Sequence, residues 1–152
     1  MAMRNDRVHG LLLPIGERSL LLPSALVAEI ITLRDVVEQP LAPPWITGLI
    51  NWRSRPVTVC DITKLWSEGI EANSRSRVAV FYPLAGRNAG EFFAILTSAE
   101  PQPRVLDDAM ALMTNTGNEN PLFSVTLVLD GRPAAIPNLT TIRELFYPAK
   151  TT

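Results

Sequence analysis

Proline and glycine punctuate this chain so densely that a long helix has almost nowhere to form. Thirteen prolines and eight glycines fall along 152 residues. Each proline removes a backbone donor and bars the helical region to the residue before it. What lies between them is short, apolar and β-branched, the pattern of an all-β barrel or sandwich. A hydrophobic fraction of 47% with 19% charged residues excludes a disordered chain. The formal net charge of −1 offers no field of one sign to attract nucleic acid. The apolar stretch Leu11-Leu12-Leu13 is cut by Pro14, too short for a signal-peptide core, and no run approaches the ~18 apolar residues of a membrane span. The expectation is a cytoplasmic protein without membrane insertion.

Several strands follow from alternation and turn chemistry. Val8 to Pro14 reads as a strand, Ile15-Gly16-Glu17-Arg18 as a turn and Ser19 to Leu22 as the return. Ala25 to Leu33 fits a strand or a helix and is read mostly as strand. Pro40 to Pro44 is an extended loop. Trp45 to Arg53 reads as a strand with Ile46, Gly48, Ile50 and Trp52 on one face and Trp45, Leu49, Asn51 and Arg53 on the other. Pro56 to Cys60 is its partner, with Val57 and Val59 inward. Asp61 then caps a short helix carrying Ile62, Leu65 and Trp66 on one face, which Gly69 stops.

The polar stretch Ile70 to Ser76 reads as a seam between two halves. Val78 to Tyr82, Phe92 to Leu96 and Val105-Leu106 are further strand segments, and Asp107 to Pro121 is the expected mobile loop. Phe123 to Leu129 alternates most clearly, Asp130-Gly131 signals a hairpin and Arg132 to Ile136 returns. Leu139, Ile142, Leu145 and Phe146 fall at helical spacing, with Thr141 and Glu144 as a weak capping box and Pro148 as the stop. No long internal repeat is visible.

Reactive chemistry is absent. An enzyme needs converging acid, base and nucleophile, and His9 is the single histidine. Cys60, the single cysteine, excludes an internal disulfide or a multi-cysteine zinc site. It reads as a small buried hydrophobe whose thiolate Asp61 would disfavour. Asp107-Asp108 are adjacent and would face opposite sides of a strand. The triplets Arg53-Ser54-Arg55 and Arg75-Ser76-Arg77 are too sparse for a nucleic-acid surface. No metal, phosphate or dinucleotide motif is present. Neither catalytic residue nor cofactor is expected, and binding is the remaining class.

The densest information lies in WITGLINWRSRPVTVCD, Trp45 to Asp61. Gly48 inside a strand implies a bulge or a close backbone approach. Asn51 and Arg53 are polar members of an apolar strand, and Glu29 is the lone acid of another. Arg53 and Glu29 are therefore expected to pair across two distant strands.

This stretch resembles the central signature of the CheW family of chemotaxis coupling proteins. The match runs through Trp45, Gly48, Leu49, Ile50, Asn51, Trp52, Arg53, Pro56, Val57, Val59, Asp61 and Ile62. Upstream, Leu22-Pro23 and Val27-Ala28-Glu29-Ile30 resemble the family's Pro and Val-x-Glu-Ile pattern, and Pro43-Pro44 its proline loop. Arg77-Val78-Ala79-Val80 and Ala135-Ile136-Pro137-Asn138-Leu139 resemble the strands that open and close its second half. The chain departs at Ser54, where the family has Gly, and at Leu96-Thr97-Ser98, where an acid is missing. Ile136-Pro137-Asn138-Leu139 also replaces the closing Leu-Asp-Leu. Such departures suggest a divergent member, as in an accessory chemosensory system controlling pili.

The resemblance implies two intertwined SH3-like β-barrels with short helices and a hydrophobic groove between them. Residues 20–66 would form the first sub-barrel, 77–136 the second and 138–147 a closing helix. It implies a non-enzymatic adaptor joining the cytoplasmic tip of a methyl-accepting chemoreceptor to the regulatory domain of a CheA-type histidine kinase at membrane-associated receptor arrays. Val27, Glu29, Ile30, Gly48, Asn51 and Arg53 would form or support the protein-binding face. The alternative is a sensory barrel binding a small ligand in a pocket lined by Trp45, Trp52 and Trp66.

Overall fold

The computed structural model describes residues 8–84, 89–106, 114–115 and 121–146. Its strands are β1 (Val8–Ile15), β2 (Arg18–Pro23), β3 (Val27–Thr32), β4 (Ile46–Trp52), β5 (Arg55–Cys60) and β6 (Arg77–Phe81). They continue with β7 (Phe93–Thr97), β8 (Gln102–Leu106), β9 (Thr114–Asn115), β10 (Phe123–Leu129) and β11 (Arg132–Pro137), and helix α1 spans Leu139–Phe146. Short 3₁₀ segments cover Ser24–Leu26 and Ile62–Leu65. The expected loop 107–121 lies outside the described residues except for Thr114, Asn115 and Pro121, as does the stop at Pro148. No helix among the described residues is long and apolar enough to cross a membrane.

Two sheets divide the strands, in the orders β3-β6-β7-β5-β4 and β8-β1-β2-β11-β10-β9. This corrects the expected boundaries. The first barrel runs from β3 through β7, so 77–97 belongs to it, and β1 and β2 join the second barrel with β8–β11. The polar stretch 70–76 is a connection inside one sheet rather than a seam. The assignment is made by two parallel pairings, Val59 beside Ala94 and Ala134 beside Ser19, which no local sequence signal announces.

The barrels repeat one another with the chain order permuted. Replacing β3, β6, β7, β5 and β4 in turn by β8, β1, β2, β11 and β10 reproduces the order and the sense of every pairing. Both hairpins carry a register shift at the same place, between Ile46 and Gly48 and between Phe123 and Val125. Their two-residue turns, Arg53-Ser54 and Asp130-Gly131, have positive φ throughout, as a type I′ connection requires. Asp61 and Asn138 then accept from a backbone N–H at the start of the following helical segments. Asn138, not Thr141, is thus the cap of α1.

Alternation sorts the apolar side chains into three cores. Val78, Val80, Ala94 and Leu96 join Ile50, Trp52, Val57 and Val59 inside the first barrel. Ala79, Phe81, Phe93 and Ile95 face the other way, against Leu13, Leu20 and Leu22 of the second barrel and Ile142 of α1. There Phe81 and Phe93 stack at 4.9 Å. The second barrel keeps a smaller core of Leu21, Leu127, Leu129 and Ala134. Buried side chains thus fill the middle of the space between the barrels, and concavities open at its flanks.

Candidate functional site

β3 and β4 are the two ends of the first sheet, and the candidate site is the seam where they meet. Gly48 makes the closure possible. It has φ +154, and a Cβ there would lie 2.5 Å from the Val37 carbonyl oxygen and 2.6 Å from Val36 Cγ1. Without a side chain, the segment after β3 comes close enough for Val37 and Leu49 to exchange backbone hydrogen bonds of 2.8 and 2.9 Å. Both features expected of an in-strand glycine, bulge and close approach, are present.

Further along the seam three side chains converge. The Glu29 carboxylate Oε1 accepts from the Arg53 guanidinium at 3.1 Å and from Trp52 Nε1 at 3.2 Å. The Arg53 Cζ lies 4.6 Å from the Trp52 ring centroid, a cation–π contact. The turn explains how. Strict alternation would send Arg53 to the face opposite Trp52, but its φ of +49 takes it out of the pleat and over the indole. The ion pair is largely solvated, with side-chain exposures of 64% for Arg53 and 42% for Glu29. An exposed pair of this kind contributes about 0–1 kcal/mol. It presents a charged, pre-positioned surface more than it holds the barrel shut.

Ser54 carries the family departure into the backbone. Its φ is +64 where glycine would be unstrained. A residue with a Cβ costs about 1–2 kcal/mol there. Ser54→Gly is expected to raise the melting temperature by about 2–4 °C, corresponding to about 1 kcal/mol. Thermal unfolding followed by circular dichroism checks this; an unchanged or lowered midpoint would show that the serine relieves its own strain.

The six expected face residues do not share one surface. Glu29 and Arg53 meet directly, and Asn51 is exposed on β4 close by in sequence. Gly48 is buried and acts through closure. Val27 and Ile30 are half-buried and pack against the core between the barrels. Trp52 was missing from the expected set, although it both receives the arginine and binds the carboxylate. Its indole N–H, beside two charges read as partners, was the signal available.

The three tryptophans do not gather. Trp52 packs inside the first barrel against Phe92 at 5.0 Å, and Trp66 meets Phe123 of the second barrel edge-on at 5.5 Å. Trp45 packs against the central core. The pocket expected from their closeness in sequence is not formed, because Trp45 and Trp52 enter different cores and Trp66 turns to Phe123. Trp66 is left 44% exposed. Cys60 is fully buried, and its pKa is raised by burial first and by Asp61 second, so the thiol stays protonated and unreactive. No cluster of metal-ligating side chains occurs among the described residues.

Concavities flank the central core. One, about 670 Å³, is lined by Leu41, Pro43, Ile46, Leu49 and Leu145. Another, about 770 Å³, lies beside Arg18, Trp66 and Phe123. The first is mainly apolar, and Leu41 at its rim is fully exposed.

The CheW-like domain family matches residues 9–145 of the chain. No curated protein sequence matches it. Among solved structures, the crystal structure of scaffolding protein TtCheW from Thermoanaerobacter tengcongensis resembles it with a TM-score of 0.73. The two are 18% identical over 96% of this chain and 92% of that one. At that identity the likeness concerns the fold.

Proposed function

The chain belongs to the CheW-like domain family, a family of non-enzymatic chemotaxis adaptors, and we propose that it couples a chemoreceptor to a CheA-type histidine kinase. The Glu29–Trp52–Arg53 cluster carries the reading: a charged, ring-supported surface at a barrel seam, in a family whose members act by binding. In this account the seam, with Asn51 beside it, receives the regulatory domain of the kinase. Gly48 supports it from within, and Val27 and Ile30 fix β3 against the core.

The cytoplasmic tip of the receptor is helical in the proposed complex. It lies in the apolar flank concavity lined by Leu41, Ile46 and Leu49, the helix-in-groove mode of recognition. Both sites share β4, so a receptor state that favours one packing of this strand biases the affinity of the kinase surface. Coupling of this kind is typically worth about 1–3 kcal/mol and is reciprocal. The adaptor is recruited from the cytoplasm to membrane-associated arrays, and its departures from the signature fit an accessory system such as one controlling pili.

Arg53→Glu tests the assignment of the surface. The variant loses an exposed ion pair and sets two carboxylates together, which costs about 1–2 kcal/mol of stability at most. Affinity for the kinase regulatory domain is expected to fall at least about tenfold, with the melting temperature within about 8 °C of the parent. Unchanged affinity in a folded variant would remove the seam from the interface.

A further inference from the structure

The internal repeat exposes a difference between the barrels. In the first, three rings close one end: Trp52 and Phe92 at 5.0 Å and Phe92 and Tyr82 at 6.1 Å between centroids. The Arg55 Cζ lies 4.6 Å above Phe92. The strand registers give the matching positions in the second barrel. Trp52 faces Arg55 across its hairpin as Leu129 faces Arg132. The parallel register that sets Val59 beside Ala94 brings Phe92 level with Val57, and Ala134, the counterpart of Val57, faces Ser19. Tyr82, one residue beyond the pair Phe81–Phe93, corresponds to Pro14, which faces Ser19. Each ring is thus replaced by a smaller residue.

A cavity of about 590 Å³ opens where the rings are missing, lined by Leu129, Ser19 and Pro14 among others from all five principal strands. Its volume falls within the usual range for small-molecule sites. Its floor is apolar, with Leu12 and Ala134. The wall carries charge: Arg104 of β8 crosses the opening to the Asp130 carboxylate. Arg132, the counterpart of Arg55, lines the cavity, and among the described residues neither a ring nor an ion pair engages it. Glu17 and Glu100 also line it without an ion pair among the described residues.

The geometry points to a binding site for an aromatic amino acid at this end of the second barrel. The ring enters where Phe92 stands in the first barrel, beneath Arg132. The α-carboxylate pairs with the Arg132 guanidinium and the α-ammonium with Glu17 or Glu100. Charges of both signs on the wall select a zwitterion over a simple anion, and the apolar floor selects a ring over a polar side chain. The site is separate from the Glu29–Arg53 seam and does not depend on the adaptor reading.

L-phenylalanine titrated into the ¹⁵N-labelled full chain, followed by amide chemical shifts, tests the assignment. Saturable shifts are expected at Gly16, Ser98 and Gly131. Arg132→Ala, an exposed substitution, is expected to weaken binding at least about fivefold, and phenylacetate, lacking the ammonium, at least about tenfold. Leu129→Trp restores the ring found in the first barrel and is expected to abolish binding; if it does not fold, Arg132→Ala carries the test alone. No saturable shift, full affinity in Arg132→Ala or in folded Leu129→Trp, or equal binding of phenylacetate would each overturn the proposal.

Discussion

Gly48→Ala is expected to lower the melting temperature by about 6–12 °C, the equivalent of about 3 kcal/mol. The added methyl would meet the Val37 carbonyl oxygen at 2.5 Å. That carbonyl cannot withdraw freely, because it accepts the Leu49 N–H at 2.9 Å and its neighbouring N–H donates to the Leu49 carbonyl at 2.8 Å. Relief of the clash therefore breaks the bridge that closes the first barrel. Gly16→Ala is the control: its φ is also positive, at +85, but nothing lies within 4 Å of the added Cβ. It should cost only the conformational penalty of about 1–2 kcal/mol. Equal costs at the two positions, read from denaturant unfolding, would mean that the close approach contributes nothing.

Asp61→Ala is expected to cost about 3 kcal/mol, lowering the melting temperature by about 6–12 °C. The carboxylate is 1% exposed. It accepts from the Thr63 N–H at 3.1 Å, the Thr63 hydroxyl at 2.6 Å and the Ile70 N–H at 2.7 Å. One side chain thus caps the 3₁₀ segment and ties down the chain as it returns toward β6. Its removal leaves buried donors without a partner, a larger loss than an exposed cap would incur. Asp61→Asn retains an acceptor for Thr63 but turns an amide toward one of the N–H groups, so it should fall between parent and alanine. An alanine variant within about 1 kcal/mol of the parent would contradict this role.

Much of the local architecture was legible because it depends on neighbours in sequence. The alternation of Phe123, Val125, Leu127 and Leu129 defines β10, and Asp130-Gly131 its turn. The pairing of Glu29 with Arg53 was legible because each is a lone charge in an apolar strand. What the sequence withheld is non-local. Sheet membership depends on the parallel contacts of β5 with β7 and of β11 with β2, and neither partner carries a mark of the other. The repeat escaped notice because β1 and β2 precede the first barrel while their counterparts, β6 and β7, end it. Only Arg55-Pro56 and Arg132-Pro133 survive as identical residues around the two turns. Trp45, Trp52 and Trp66 misled for a related reason: closeness along the chain did not show that the first two enter different cores and the third stays half-exposed against Phe123. The position of Arg53 over Trp52 was hidden too, since a left-handed turn cancels the alternation that would separate them.

The central claim is that this CheW-like chain acts by binding a kinase. Calorimetric titration of the purified chain into the regulatory domain of a CheA-type kinase from the same organism tests it most directly. The account predicts saturable heat with a stoichiometry near one, even if the affinity is only micromolar, about −8 kcal/mol. Absence of heat and of any competing signal, from a chain whose circular dichroism reports the intact β fold, would contradict it.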